Sequence, residues 1–134
     1  MRYLLDTNIC IYLIKRHPPE VLARLEALRQ GDVAMSVVTY AELRAGLEMR
    51  SVNRAHDEQV LNLLIGKIPV LPFDADAANT YGVLRSAVAE RRRDALDRLI
   101  AAHAVSLNII LVTNNEADFA GYPGLVVENW VRQT

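Results

Sequence analysis

The 134 residues carry 15 Lys and Arg against 16 Asp and Glu, a net charge of -1, with 51% hydrophobic and 23% charged residues. That length suits a single domain, residues 1–134, with a core large enough to need no staple, and the balance excludes a disordered chain. Near-neutrality excludes condensation of the whole molecule on nucleic acid or an anionic membrane, and the single cysteine, Cys10, excludes a disulfide framework and a thiolate zinc site.

Met1-Arg2-Tyr3-Leu4-Leu5 reaches Asp6 before any signal-peptide apolar run develops, and no later stretch approaches a membrane span, so a soluble, unprocessed, cytoplasmic protein without membrane contact is expected. Tyr3-Leu4-Leu5, closed by Asp6-Thr7-Asn8, predicts a short strand and a turn, with Thr7 and Asn8 capping a helix through Ile9, Cys10, Leu13 and Ile14. Pro18-Pro19-Glu20 opens a second helix on the stripe Val21, Leu22, Leu25 and Leu28, with Gly31 as its stop. Asp32 to Ser36 reads as a second strand, followed by helices over Thr39 to Met49 and Asn53 to Lys67.

Ile68-Pro69-Val70-Leu71 predicts a third strand, and Pro69 and Pro72 suit it to a sheet edge because each removes a ladder donor. Asp74 caps a helix running to about Arg92, and Asp94 starts another on the stripe Leu96, Leu99, Ile100 and His103. Asn108 to Thr113 is the strongest strand signal, a β-branched run of the kind buried on both faces, and Leu125 to Val127 is a weaker last strand. Short strands alternating with helices predict an α/β sandwich around a short, mainly parallel sheet.

Ligands of such sheets sit beyond the carboxyl ends of the strands. The residues there are acids and amides: Asp6 after the first strand, Glu42 at the start of the helix after the second, and Thr113-Asn114-Asn115 with Asp118 after the strongest strand. Asp97 lies early in the preceding helix. Glu42 three residues after Thr39 also fits a capping box, and Asp97 three after Asp94 also fits a helix's first turn. Asp6 has neither excuse, because a carboxylate next to the core must be desolvated unless something pairs with it. Converging carboxylates repel one another, and a hard dication such as Mg²⁺ or Mn²⁺ would restore their charged forms and activate water for phosphodiester hydrolysis. Zinc is not expected, since His17, His56 and His103 show no ligand spacing.

Four blocks carry a family likeness: Leu4-Leu5-Asp6-Thr7-Asn8, Ser36-Val37-Val38-Thr39-Tyr40-Ala41-Glu42-Leu43, Leu96 to Ala104, and Leu111-Val112-Thr113-Asn114-Asn115. In order, spacing and total length the chain resembles the PIN-domain ribonucleases, in particular the VapC toxins of bacterial toxin–antitoxin operons. The resemblance implies a PIN-domain α/β/α sandwich and an endoribonuclease using Mg²⁺, or Mn²⁺, held by Asp6, Glu42 and Asp97, with Asn115 at the fourth catalytic position. It further implies homodimers and inhibition by a VapB-type antitoxin. The antitoxin's tail would lie between the helices at Thr39 to Met49 and Asn53 to Lys67 and bring an Arg or Lys to the acids. Toxin–antitoxin assemblies would then be larger than a dimer, and operator DNA would be contacted only through the antitoxin.

Two departures mark this chain. The fourth position is often aspartate in the family, so Asn115 brings no charge and Asp118 is a candidate supporting carboxylate. The tract Glu90-Arg91-Arg92-Arg93-Asp94-Ala95-Leu96-Asp97 is shorter than the glycine-containing loop of the family, which leaves Asp94 as a rival to Asp97. Arg91-Arg92-Arg93 is either a solvated helix end or a phosphate contact. His103, on an apolar stripe, and Cys10, among Ile9, Ile11 and Leu13, read as packed side chains, while Thr7 and Thr113 are placed to orient a carboxylate or a water.

Other acid-after-strand proteins fit less well. A haloacid-dehalogenase phosphatase needs a second Asp at position 8, which is Asn8, and a receiver module needs an acidic pair where this chain has Asp6 alone. A catalytically silent PIN scaffold would lack one of the three acids, and none is missing.

Overall fold

A computed structural model describes residues 1–89 and 94–132. Tyr3–Leu5 (β1) pairs in parallel with Val33–Ser36 (β2) on one side and Ile110–Val112 (β4) on the other, placing Leu5 between Met35 and Val112. Val70–Leu71 (β3) and Val127–Glu128 (β5) form the edges, and the order β3-β2-β1-β4-β5 is parallel throughout. The proline-flanked strand takes the predicted edge place, with the Pro69 carbonyl still accepting from the Met35 N–H at 2.9 Å.

Alternation along the strands divides the core into two layers. Tyr3, Leu5, Val33, Met35 and Val112 face Thr7–Lys15 (α1), Pro19–Glu26 (α2), Val37–Arg50 (α3) and Arg54–Lys67 (α4), meeting Ile9, Val21, Leu43 and Leu61. Leu4, Ala34 and Leu111 face the other way, toward Ala75–Ala87 (α5), Ala95–Leu107 (α6) and Glu116–Phe119 (α7), where Leu84, Ile100 and Phe119 complete the layer. This is the expected α/β/α sandwich. Among the described residues no helix is long and apolar enough to cross a membrane.

Several boundaries differ from expectation. Asp6, rather than Thr7 or Asn8, caps α1, its Oδ1 accepting from the Ile9 N–H at 3.0 Å. Helix α2 stops at Glu26, and Gly31, at φ +97°, serves instead the turn into β2. Helix α3 starts at Val37 because the Ser36 hydroxyl accepts from the Val38 N–H, so Thr39 is no cap and Glu42 lies in the second turn rather than the first. Helix α5 ends at Ala87, where Val88 turns extended, and β4 starts only at Ile110 because Asn108 takes the left-handed conformation (φ 56°) that closes α6. Leu96 is exposed rather than part of the buried stripe of α6. Glu90 and Arg91-Arg92-Arg93, with their two readings, lie outside the described residues.

Candidate active site

The chain leaves β1 toward β2 and β3, then returns across β1 to add β4 and β5 on its other side. The crevice between β1 and β4 is therefore the switch point at which open parallel sheets bind ligands. Asp6 and Thr113 are the first residues beyond those two strands.

Asp6 is held on several sides. Its N–H donates to the Val112 carbonyl at 3.0 Å, and its carboxylate accepts from the Ile9 N–H and the Thr113 side chain. Burial nevertheless pushes its pKa up to about 6, with the Glu42 charge adding to the rise. Glu42, half-buried on α3, accepts a 2.6 Å hydrogen bond from the Thr7 hydroxyl, which also lies 3.4 Å from Oγ1 of the fully buried Thr39. A charged acceptor at that distance makes a strong bond, which fixes the carboxylate over α1.

Asp97, also half-buried, stands in the first turn of α6. Its pKa is likewise pushed up to about 6, first by burial and then by the charges of Asp118, Asp6, Glu42 and Asp94. The fold thus brings Asp6, Glu42 and Asp97 into one electrostatic cluster from three separate elements, and among the described residues none of the three forms an ion pair. Asp94 is buried at the N-cap of α6 without a side-chain cap bond, and its charge adds to the repulsion on Asp97.

The fourth position is looser. Asn115 is exposed at the start of α7, and its N–H donates to Thr113 Oγ1 at 3.0 Å. Asp118, one turn on, is the strongest charge acting on Asp97. Cys10 and His103 are buried, as the sequence suggests, and burial pushes the Cys10 thiol up, which keeps it unreactive.

All donors here are hard oxygens, and three or more negative charges share a partly desolvated crevice, which is the chemistry a divalent cation satisfies. Among the described residues no three His, Cys, Asp or Glu side chains close around one point, so the acids form a cluster rather than a finished coordination sphere. Beside it, an open groove of about 660 Å³ runs between α1, α3 and α4, lined by Thr7 and Glu42 together with Ile11, Ile14, Leu47 and Leu61.

Sequence reasoning missed Ser36. Its signal, a hydroxyl residue between an apolar strand and a helical repeat, is masked by Val37 and Val38, whose branched side chains read as more strand.

A parallel sheet with acids at its switch point defines an α/β domain with an acidic ligand site, and comparison with known proteins specifies it. The PIN domain family model matches residues 3–125. Ribonuclease VapC2 of Rickettsia felis is 35% identical over 133 residues, covering 97% of this chain and 98% of its own. The tRNA(fMet)-specific endonuclease VapC of Shigella flexneri is 39% identical over 132 residues, with 97% and 98% covered. Among solved structures, VapBC2 of Rickettsia felis bound to a promoter DNA fragment superposes with a TM-score of 0.85 at 34% identity, over 98% of this chain and 100% of that one. The chain belongs to the PIN domain family, in its VapC branch.

Proposed function

We propose that this protein is the toxin of a toxin–antitoxin pair, an endoribonuclease that hydrolyses RNA phosphodiester bonds with Mg²⁺ or Mn²⁺ and is inhibited by a VapB-type antitoxin. The observation that carries the reading is the convergence of Asp6, Glu42 and Asp97 at the β1/β4 switch point without a countercharge among the described residues. A divalent ion held by these three carboxylates would neutralise charge on the phosphoryl group and lower the pKa of a bound water.

The chain's own side chains prepare that site. Thr113 and the Ile9 N–H hold Asp6 in one orientation, and Thr7 does the same for Glu42. Asn115 and Asp118, on one face of α7, would complete the outer side through an amide oxygen and a carboxylate that need not touch the ion. The relatives support RNA as substrate: one is named a ribonuclease and another a tRNA(fMet)-specific endonuclease, so tRNA is the first RNA to test.

The groove supports the partner. Its apolar walls accept one face of an amphipathic tail, and its acidic members accept a basic side chain in place of the metal. Structural neighbours crystallised as VapBC complexes support the same pairing. A homodimeric toxin within a larger complex, contacting operator DNA only through the antitoxin, completes the proposal; light scattering on the free chain and on the complex reads both sizes.

The purified chain is incubated with bulk tRNA and ribosomal RNA, with Mg²⁺ or EDTA, and new 5′ ends are sequenced. Site-specific cleavage that needs Mg²⁺ and disappears in Asp6→Ala, Glu42→Ala and Asp97→Ala is the expected result. Cleavage surviving in all three variants would overturn the assignment.

A further inference from the structure

Ser36 ends β2 and caps α3 with no residue between the two elements. Its hydroxyl oxygen accepts from the Val38 N–H at 3.1 Å and lies 2.7 Å from Nδ1 of His103, on α6. Both side chains are closed to solvent, at 0% and 1% exposure. The His103 ring also hydrogen-bonds the Pro72 carbonyl and meets Phe73 edge to face at 5.5 Å.

These contacts assign the protons. Burial holds the His103 pKa below its ordinary value, so the ring is neutral and has one N–H to give. The Pro72 carbonyl can only accept, so it takes that N–H, and Nδ1 accepts the proton of the Ser36 hydroxyl. One hydroxyl thereby starts helix α3 and ties it to α6.

The two helices carry the two acids that lie off β1. Glu42 stands six residues beyond Ser36 on α3, and Asp97 stands six residues before His103 on α6. At 1.5 Å rise per residue each acid lies about 9 Å along its own helix from the buried contact, on two helices tied together there. A tilt of several degrees at the joint moves a carboxylate by about an ångström, which is enough to cost about a hundredfold at a reacting centre.

We propose that the Ser36–His103 hydrogen bond is the pivot that sets the separation of Glu42 and Asp97, making both residues positioning residues of the acid site. The proposal rests on the reading of those acids as the metal-binding centre of a nuclease. It assigns to His103 a role beyond filling the core, since an apolar side chain of similar volume would fill the core equally well but would not tie α6 to the cap of α3.

The test compares the full chain with His103→Leu, His103→Asn and Ser36→Gly. His103→Asn returns a polar group near the Nδ1 position, and Ser36→Gly removes the hydroxyl while leaving a residue type that starts helices well. Thermal unfolding, Mn²⁺ titration by calorimetry, RNA-cleavage kinetics and crystal structures of the metal-free proteins are measured. In His103→Leu and Ser36→Gly we expect Mn²⁺ affinity and kcat each to fall about tenfold or more, with KM for RNA unchanged and the Glu42-to-Asp97 separation altered. His103→Asn is expected to recover most of both. Variants that melt earlier yet bind Mn²⁺ and turn over like wild type, or whose carboxylates keep their separation, would overturn the pivot. Should His103→Leu not fold, Ser36→Gly decides alone. Failure of the wild-type chain to bind Mn²⁺ or cut RNA would instead remove the nuclease reading, and the crystal structures would still decide whether the joint sets the separation.

Discussion

The Thr7 hydroxyl donates to Glu42 Oε1 at 2.6 Å across 35 residues of sequence, joining the first turn of α1 to the second turn of α3. Asp6, immediately before Thr7, caps the same helix, so one helix start fixes Asp6 directly and Glu42 through a neighbour. Thr7→Val keeps the shape and removes the donor. A hydrogen bond to a charged group is worth about 1.5–3 kcal/mol, so here it stabilises as well as orients. Mn²⁺ affinity and kcat should fall about tenfold and the melting temperature should drop by several degrees, whereas Thr7→Ser should stay near wild type. Calorimetric titration with cleavage kinetics checks this.

The raised pKa of Asp6 has a consequence for stability, with a definite sign. Its folded value is about 6 against 3.8 for a freely solvated aspartate, so the folded state holds the proton more tightly. Stability from that proton is fully present below about pH 4 and is lost as pH rises through 6, leaving the metal-free protein destabilised at pH 7 by on the order of 3 kcal/mol. Asp6→Asn mimics the protonated form and remains a good helix cap. In EDTA, its urea midpoint should exceed that of wild type at pH 7, and the difference should shrink toward pH 4.5. A midpoint below wild type at pH 7 would contradict the desolvation account. Added Mn²⁺ should stabilise wild type at pH 7 and not the variant.

The legible parts of the site are those set by local pattern. A carboxylate directly after the apolar run Tyr3-Leu4-Leu5 has to end a buried strand, and the apolar run at Ile109 to Val112 reads as a strand buried on both faces, whereas the pairing that sets Asp6 beside Thr113 comes only from the strand order. What is not legible depends on contacts made across the fold. Thr39 and Glu42 have the spacing of a capping box, yet Ser36 wins the cap because its hydroxyl reaches the Val38 N–H first and is itself anchored by His103. Helix α7 has four residues, too few for any periodicity, so only the tertiary fold shows that Asp118 acts on Asp97.

Asn115 and Asp118 separate by charge. Asn115 is exposed and neutral, while Asp118 already raises the Asp97 pKa. Asn115→Ala should weaken Mn²⁺ binding by a few fold without abolishing cleavage. Asn115→Asp adds a carboxylate and should bind Mn²⁺ at least as tightly as wild type. Asp118→Asn should lower the Asp97 pKa, shifting the acid limb of the cleavage profile to lower pH. Identical Mn²⁺ isotherms for Asn115→Ala and wild type would remove Asn115 from the site.

The groove offers a way to separate toxin activity from its inhibition. Gly46 lies on α3 in the groove wall, and a Cβ there would meet only the far end of the Arg50 side chain, at 3.7 Å. An exposed helix interior gains about 0.5–1 kcal/mol when glycine is replaced by a better helix former, so Gly46→Ala should stabilise the free chain slightly. Gly46→Leu carries a larger side chain toward the space between α1, α3 and α4, which Leu43 and Leu47 also line. A tail seated against those walls would lose that space; Glu42, one turn before Gly46, lines the same groove, so inhibition is read against the variant's own uninhibited rate. Gly46→Leu should therefore bind the cognate VapB-type antitoxin at least tenfold more weakly, and lose inhibition to a much greater extent than it loses RNA cleavage. Titration calorimetry with the antitoxin, and cleavage assays at increasing antitoxin concentration, measure both effects. Undiminished inhibition of Gly46→Leu would move the antitoxin's tail to another face of the molecule.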